Sequence, residues 1–412
     1  MNGPIKLAVP LVAALAIAAC NAGGSSNVPG MSGTSLSDSS RFGQPVVPLH
    51  VPDWQAQHQA RPACPQVIGK PTCLVLVSTQ SKPGQLVSGL APADFQKRYN
   101  LPSNTKGSGQ TVAIIDWGDD PDATADLATY RNEFSLGTAN FTKYNAEGKQ
   151  SGYPSSCTEY GSCVEIMLDI EMVSAVCPKC TIDLIEAENS ISSLEQAQTE
   201  AATLGAHIVS NSWICYGSNN CGDSNFGNFF NTKGVLYLAS SGDEGYNQNG
   251  APEALASVVS VGGTTLVRNG TGYTETVWNG AGGGCATGVT KPTWQHDPGC
   301  TSRTDSDVSA VACICVAEYD ELDGGWFEVG GTSVASPMNA GIFALAGNAS
   351  SQDAGKKFWS LKGRKLKKDL HAITSGSDGS CGGSYLCEAG TKQFKTYSGP
   401  AGWGTPNGIK AY

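Results

Sequence analysis

The protein has 412 residues, of which 40% are hydrophobic and 15% charged, and its formal net charge is −10. A chain of this length and apolar content can bury a large core, which excludes disorder along its whole length. The one basic run, Lys362–Lys368, is short and typical of a solvated helix face, so nucleic acid is not an expected partner.

The first twenty residues are typical of an export signal. Lys6 precedes an apolar run that ends at Ala19 and is too short to span a bilayer. The run closes on Ile17-Ala-Ala-Cys20, which resembles a bacterial lipobox, whereas an ordinary cleaved signal is the alternative. We expect residues 1–20 to be a lipoprotein-type signal peptide. The protein is then exported, either tethered to the cell envelope (outer membrane or cell surface) by a lipid on Cys20, or secreted.

The region after the signal divides into two segments. Residues 21–59 begin with a stretch rich in Gly, Ser, Pro and Asn, and this composition predicts a flexible linker. Residues 60–90 predict a short N-terminal segment with one strand-like run, Cys73–Ser78.

Fourteen cysteines remain besides Cys20, and they fall in seven neighbouring couples. In an exported chain this even number predicts disulfide bonds. The couples are Cys64/Cys73, Cys157/Cys163, Cys177/Cys180, Cys215/Cys221, Cys285/Cys300, Cys313/Cys315 and Cys381/Cys387. Cys177-Pro-Lys-Cys180 has the spacing of a redox motif, but it follows a helical segment, whereas redox motifs open a helix. The five histidines lack zinc-ligand spacing near these couples, so we do not expect zinc.

From Thr111 onward, short apolar runs alternate with helical segments. This alternation predicts an α/β fold with a mostly parallel central sheet flanked by helices. The predicted strands are Thr111–Asp116, Thr181–Ala187, His207–Ser212, Val235–Ser240 and Ser257–Val261, and the predicted helices are 122–134 and 191–204. Active sites in such sheets lie at the carboxyl ends of the strands, and three of these runs end in polar residues suited to chemistry: Asp116, Asn211-Ser212 and Gly242-Asp243.

The segment Cys163–Val176 predicts a helix that carries two carboxylates on one face. Glu165 and Asp169 are four residues apart, in line with the apolar Met172. If they are buried together, they raise each other's pKa and share a proton, which makes an acid-base device. The alternative is a solvated acidic helix that also exposes Glu171.

The segment Val329–Met338 contains a serine that is suited to nucleophilic attack. Gly330 and Gly331 permit a tight backbone approach, and Ser333 falls where this turn enters a helix, near the helix's positive end. The alternative is a serine-rich helix N-terminus, with Pro337 in the first turn.

Three segments together resemble the sedolisin family of serine peptidases. Gly331–Pro337 resembles the Gly-Thr-Ser signature that sedolisins share with subtilisins, but the chain lacks the His-Gly-Thr motif of a subtilisin. The Glu-x-x-x-Asp helix is similar to the one that distinguishes sedolisins, and Ala239–Gly245 resembles their oxyanion segment. The resemblance extends from about Pro92 to the C-terminus. It implies that residues 91–412 form a peptidase domain with the three-layer fold of subtilisins.

The resemblance also implies a role for five side chains. It makes Ser333 the nucleophile, Glu165 its general base and Asp169 the group that orients Glu165. It makes Asp243 the hydrogen-bond donor to the oxyanion, and Asp116 a hydrogen-bonding group that lies behind the carboxylate pair and supports it. The resemblance implies a monomeric endopeptidase that cleaves proteins or peptides. Because these carboxylates must keep protons, its activity is expected at acidic pH. The alternatives are a tripeptidyl exopeptidase and a non-catalytic binding lipoprotein on the same fold.

The chain departs from the family pattern in two places. Ala372 and Ser398 stand where sedolisins carry the two acidic calcium ligands, so we expect that site to be lost or greatly weakened, unless Asp369 or Asp378 substitutes. The region before the catalytic domain is also too short for the family's full propeptide. Either residues 50–90 are a reduced inhibitory segment removed on activation, or they stay in the mature protein.

Overall fold

The computed structural model describes residues 52–67, 70–84, 86–215, 226–247 and 250–412. The signal peptide, the lipidation site Cys20, most of the expected linker and Cys221 lie outside these described residues. Within them, no helix combines the length and the apolar character that a membrane span requires.

The helices of the described residues range from one to four turns. They are α1 (Asp53–Ala56), α2 (Pro92–Arg98), α3 (Ala123–Glu133), α4 (Cys163–Val176), α5 (Ile191–Thr203), α6 (Thr332–Ala346), α7 (Lys356–Ser360) and α8 (Gly363–Asp369), with short 3-10 segments at Cys157–Glu159, Phe226–Phe230 and Ala349–Ser351.

The strands of the described residues fall into one large sheet and several small ones. They are β1 (Ala60–Pro62), β2 (Pro71–Cys73), β3 (Leu76–Ser78), β4 (Thr111–Trp117), β5 (Asn140–Asn145), β6 (Thr181–Ala187), β7 (Ile208–Asn211), β8 (Trp213–Cys215), β9 (Leu236–Ser240), β10 (Val258–Asn269), β11 (Gly272–Val277), β12 (Gly284–Thr290), β13 (Ser302–Asp305), β14 (Val308–Val311), β15 (Val316–Asp320), β16 (Gly325–Gly330), β17 (Leu370–His371) and β18 (Thr405–Pro406).

The large sheet has the strand order β11-β10-β9-β7-β4-β6-β5, and β14 also pairs with β10. Its pairs are parallel except β10 with β11. The apolar stretch Val112–Ile115 of β4 is fully buried, as expected for a central parallel strand covered on both faces. Helices α4 and α6 pack on each other, α6 also packs on β7, β9 and β10, and α5 packs on β4 and β6. The predicted mostly parallel sheet flanked by helices is confirmed.

Two small sheets hold the N-terminal segment against the rest of the chain. Strands β1, β3, β16 and β15 form an antiparallel sheet, and β2 pairs antiparallel with β8. The expectation of one strand over Cys73–Ser78 is therefore wrong: β2 ends at Cys73 and β3 begins at Leu76, because the two join different partners. Residues 53–56, placed in the linker by composition, form α1 and bury Trp54.

Six of the seven predicted cysteine couples form disulfides, and the seventh includes Cys221, outside the described residues. The Cα–Cα distances of the six lie between 5.0 and 6.0 Å, within the normal range. The Cys177–Cys180 bond closes the turn between α4 and β6, so this couple is a structural disulfide as predicted.

Candidate active site

Ser333 is the second residue of α6, immediately after the turn that leaves β16. Gly331 precedes the helix with φ of +113°, a conformation that glycine adopts readily and other residues rarely do. A Cβ at Gly331 would lie 2.0 Å from the carbonyl oxygen of Leu74. Ser333 is fully buried, and its Oγ donates a long hydrogen bond of 3.4 Å to the carbonyl oxygen of Ser212. The two glycines thus place the serine hydroxyl at a crowded turn, as the sequence predicts.

Replacing Gly331 by Ala is expected to destabilise the fold by at least about 3 kcal/mol, from backbone strain together with the clash against Leu74. Gly347 is the matched control, since its φ is also positive at +72° but a Cβ there meets no atom within 4 Å. Gly347→Ala should cost only about 1 kcal/mol. Urea unfolding of both variants measures the difference, and equal losses would contradict the crowding at Gly331.

Glu165 and Asp169 lie one turn apart on α4 and are both fully buried. Every residue of α4 is buried, Glu171 included, so the alternative of a solvated acidic helix is wrong. Glu165 Oε2 accepts a 2.9 Å hydrogen bond from the backbone N–H of Leu74. Asp169 Oδ1 accepts a 2.7 Å bond from the hydroxyl of Ser212. Ser212 therefore connects the two halves of the site, because its carbonyl faces Ser333 while its hydroxyl binds Asp169.

The pKa values of the pair are raised well above those of ordinary carboxyls. Burial is the main cause for both Glu165 and Asp169, and the negative charge of Asp116 raises both pKa values further. The nearby hydroxyl of Ser333 lowers the pKa of Glu165 and so opposes the shift. A buried pair of this kind keeps at least one proton well above the pH at which free carboxyls ionise. The two carboxyls are buried together, which is the condition under which the sequence predicts that they share a proton.

Asp243 lies three residues beyond the end of β9 and faces the start of α6. Its Oδ1 accepts hydrogen bonds from the N–H and the hydroxyl of Thr332, at 2.7 and 2.8 Å. Its Oδ2 has no partner among the described residues and lies 2.6 Å from the position that a Cβ of Gly331 would take. Burial raises the pKa of Asp243 to about 8, against the opposing effect of the Thr332 hydrogen bonds. A protonated Oδ2 is thus able to donate a hydrogen bond beside Ser333.

Asp116, near the end of β4, does not make the hydrogen bond expected of it. Both of its carboxylate oxygens are buried without a hydrogen-bond partner among the described residues. Burial raises its pKa to about 7. It lies close enough to Glu165 and Asp169 for its negative charge, when it is ionised, to raise their pKa values.

The contact made by Leu74 was not predicted from the sequence, and the contact made by Ser212 was predicted only in part. Ser212 was noted only as the end of a strand, and the strand-end rule was the signal that pointed to it. Leu74 lies in an apolar run that looks like any core strand, and no signal in the sequence places it at the site. No histidine of the described residues forms a hydrogen bond with Ser333, Glu165 or Asp169; His207, for example, contacts the carbonyl of Gly234.

Comparison with known proteins agrees with this geometry. The subtilase family model matches residues 107–368, which is more than half of the chain.

The chain belongs to the subtilase family.

The similar curated proteins are sedolisins. Kumamolisin of Bacillus sp. (strain MN-32) is 28% identical over 358 residues, covering 77% of this chain and 62% of kumamolisin. Sedolisin of Pseudomonas sp. (strain 101) is 31% identical over 209 residues, covering 42% of this chain and 33% of sedolisin. The chain thus spans less than two thirds of the length of these relatives.

A solved structure of Pseudomonas sedolisin, described as a serine-carboxyl proteinase in complex with two molecules of pseudo-iodotyrostatin, is also similar. It is 25% identical, with a TM-score of 0.63 over 78% of this chain and 96% of that one. Together with the curated relatives, it confirms the resemblance to sedolisins and the subtilisin-like fold.

In this subtilase the candidate site is covered by the chain's own N-terminal segment. Strand β2 pairs with β8, with Cys73 opposite Trp213, and β3 pairs with β16, with Leu76 opposite Gly330. Leu74 and Val75 lie between the two pairings, directly over the site. The main-chain carbonyl of Asp243 also accepts a 2.9 Å hydrogen bond from the indole N–H of Trp54.

The side chains at the two expected calcium-ligand positions of the subtilase do not suit calcium. Ala372 is exposed and offers a methyl group, and Ser398 offers a buried neutral hydroxyl without a hydrogen-bond partner among the described residues. Asp378 is buried, but no group of three or more acidic, histidine or cysteine side chains within the described residues is arranged to hold a metal. Calcium needs several oxygen ligands, including carboxylates, and neither of the two expected positions carries a carboxylate.

Proposed function

We propose that the protein is a serine peptidase of the serine-carboxyl type, which hydrolyses peptide bonds in proteins or peptides through an acyl-enzyme on Ser333. The observation that carries the proposal is the fully buried carboxylate pair beside Ser333: Ser212 links Asp169 to Ser333, and the Ser333 hydroxyl is near enough to Glu165 to lower its pKa. A serine hydroxyl needs a base to become a nucleophile, and Glu165 is the base that the structure offers. The similarity to kumamolisin and sedolisin supports the same assignment.

Each side chain has a distinct part in the proposed reaction. Glu165 accepts the proton of Ser333 Oγ as the oxygen attacks the substrate's carbonyl carbon. Asp169 holds the orientation of Glu165 and is itself fixed by the hydroxyl of Ser212. Asp243 donates its Oδ2 proton to the oxyanion. Glu165 then passes its proton to the leaving amine. In the second half of the reaction, Glu165 accepts a proton from the water that attacks the ester and returns it to Ser333 Oγ as the ester breaks.

Hydrolysis of a denatured protein is expected at acidic pH and is expected to fall as the pH rises through the range 7 to 8. Asp243 loses the proton that it must donate as the pH passes its pKa of about 8, and Asp116, with a pKa of about 7, adds a second negative charge to the site. A pH profile between 3 and 9 measures the fall, with Ser333→Ala as the inactive control. Activity that increases above pH 8, or that persists in Ser333→Ala, would reject the proposal.

Labelling separates the peptidase from a binding protein on the same fold. A fluorophosphonate probe is expected to modify Ser333 at low pH, whereas a non-catalytic lipoprotein would stay unlabelled. Peptides with blocked and free N-termini distinguish the proposed endopeptidase from a tripeptidyl exopeptidase.

We also propose that the protein acts as an exported monomer, tethered through Cys20, without a tight calcium site. Stoichiometric calcium binding in a titration would contradict the last point.

A further inference from the structure

Residues 60–67 and 70–78, called the strap below, contact the candidate site as an extended peptide substrate would. The pairing of β2 with β8 places Cys73 opposite Trp213, so the next residue, Leu74, faces Ser212. The N–H of Leu74 points to the Ser212 carbonyl at 3.2 Å and to Glu165 Oε2 at 2.9 Å. Antiparallel addition of a peptide strand, anchored by main-chain hydrogen bonds, is a general mode of peptide recognition.

The carbonyl of Leu74 lies against the turn that carries Ser333. A Cβ built on Gly331 would be 2.0 Å from Leu74 O and 2.6 Å from Asp243 Oδ2. The carbonyl oxygen and the proposed oxyanion donor therefore both lie close to one point, at the turn that carries Ser333. The peptide bond that contains this carbonyl is Leu74–Val75. Leu74 is 3% exposed, so the apolar residue before that bond is buried in the site.

Both sides of this bond are held to one short piece of the strap. On the N-terminal side, Cys73 is joined to Cys64 by a disulfide. On the C-terminal side, the N–H of Ala63 donates a 3.1 Å hydrogen bond to the carbonyl of Val75, and β1 pairs with β3 beyond it. Because β3 also pairs with β16, the residues after the bond stay on the body of the protein. Cutting the bond would leave the two new ends side by side.

We propose that the strap is a built-in, substrate-like inhibitor whose Leu74–Val75 bond is cut and resealed, so that the nicked strap stays in the site. The inference rests on the proposed function. Ser333 Oγ forms an ester with the Leu74 carbonyl carbon, the bond to the Val75 nitrogen breaks, and Glu165 gives that nitrogen a proton. The retained amine then attacks the ester, which restores the peptide bond and returns the proton to Ser333. Attack by water instead yields a Leu74 carboxylate and a Val75 amine, and both remain bound.

The test follows the purified full chain during incubation at acidic pH. We expect mass spectrometry to find a partial cut with a new N-terminus at Val75, and native size-exclusion chromatography to show both pieces eluting together. Hydrolysis of an added apolar peptide by the nicked protein should be measurable but slower than in the variants with a loosened strap described next. The double change Cys64→Ser and Cys73→Ser removes one brace. It is expected to increase peptide hydrolysis at least about tenfold, because a strap that is no longer held in its bound conformation binds the site more weakly. Cys381→Ser with Cys387→Ser is the matched control and should leave the rate unchanged.

A second variant avoids the disulfide altogether. Leu74→Asp replaces a buried apolar side chain with a carboxyl, which weakens the binding of the strap and should increase peptide hydrolysis in the same way. Leu86→Asp, at a position that is 85% exposed, should not. A strap that separates on cutting, with activity increasing in step, would overturn the inference and leave the peptidase intact. An uncut, unsubstituted chain that hydrolyses peptide as fast as the Leu74→Asp variant would also overturn the inference. If no variant hydrolyses peptide and the fluorophosphonate does not label Ser333, the proposed function itself fails.

Discussion

Replacing Glu165 by Gln is expected to lower kcat/KM for peptide hydrolysis by about four orders of magnitude, close to the effect of Ser333→Ala. Glutamine fills the same space but cannot accept the serine proton, and removal of one member of a catalytic unit costs nearly as much as removal of the whole unit. The measurement is best made in the chain opened by Leu74→Asp, in which the strap no longer limits access to the site.

Glu171→Gln is the matched control for this change. Glu171 is also fully buried on α4, but its carboxylate faces the backbone N–H of Tyr319, at 3.3 and 3.4 Å, rather than Ser333. Loss of a buried carboxyl alone should therefore change kcat/KM by only a few-fold. If the two glutamine variants lost activity equally, the role of Glu165 would be structural. Residual activity of Glu165→Gln near that of the parent would remove it from the mechanism.

The free energy of unfolding is expected to fall as the pH rises from about 4 to about 8. Burial raises the pKa of Asp243 and of Asp320 to about 8 and that of Asp116 to about 7, whereas all three titrate near 3.8 when exposed. Between these values the folded state binds more protons than the unfolded state. Linkage then makes stability greatest below pH 4, with a progressive loss up to about pH 8.

Thermal unfolding at pH 4, 6 and 8 checks this dependence. We expect Tm to fall by about 10 °C or more across the series, since several buried carboxyls ionise together. Asp243→Asn removes one of them and should flatten the curve without abolishing it, whereas Asp53→Asn, an exposed position, should leave the slope unchanged. A Tm that is constant or increases with pH would show that these groups are already ionised in the folded protein.

The sequence predicted the features that depend on local pattern. Strand-helix alternation predicted the parallel sheet, because each strand and each helix has its own periodicity. The spacing of Glu165 and Asp169 put both on one helix face, and the glycines before Ser333 predicted a tight turn into α6. Neighbouring cysteines predicted the six disulfides now seen, because short loops close easily.

Other features were decided only by the tertiary structure. Full burial of Glu171 depends on the elements packed around α4, and local periodicity does not report them. Asp116 was expected to hydrogen-bond, but its carboxylate has no partner among the described residues. The carboxylates near it belong to α4, and the local sequence of β4 does not determine where they lie. Leu74 and Ser212 are far apart in the sequence, and strand pairing brings them together over Ser333. The apolar run around Leu74 reads like any buried strand, so only its pairing with β8 and β16 shows that it fills the site.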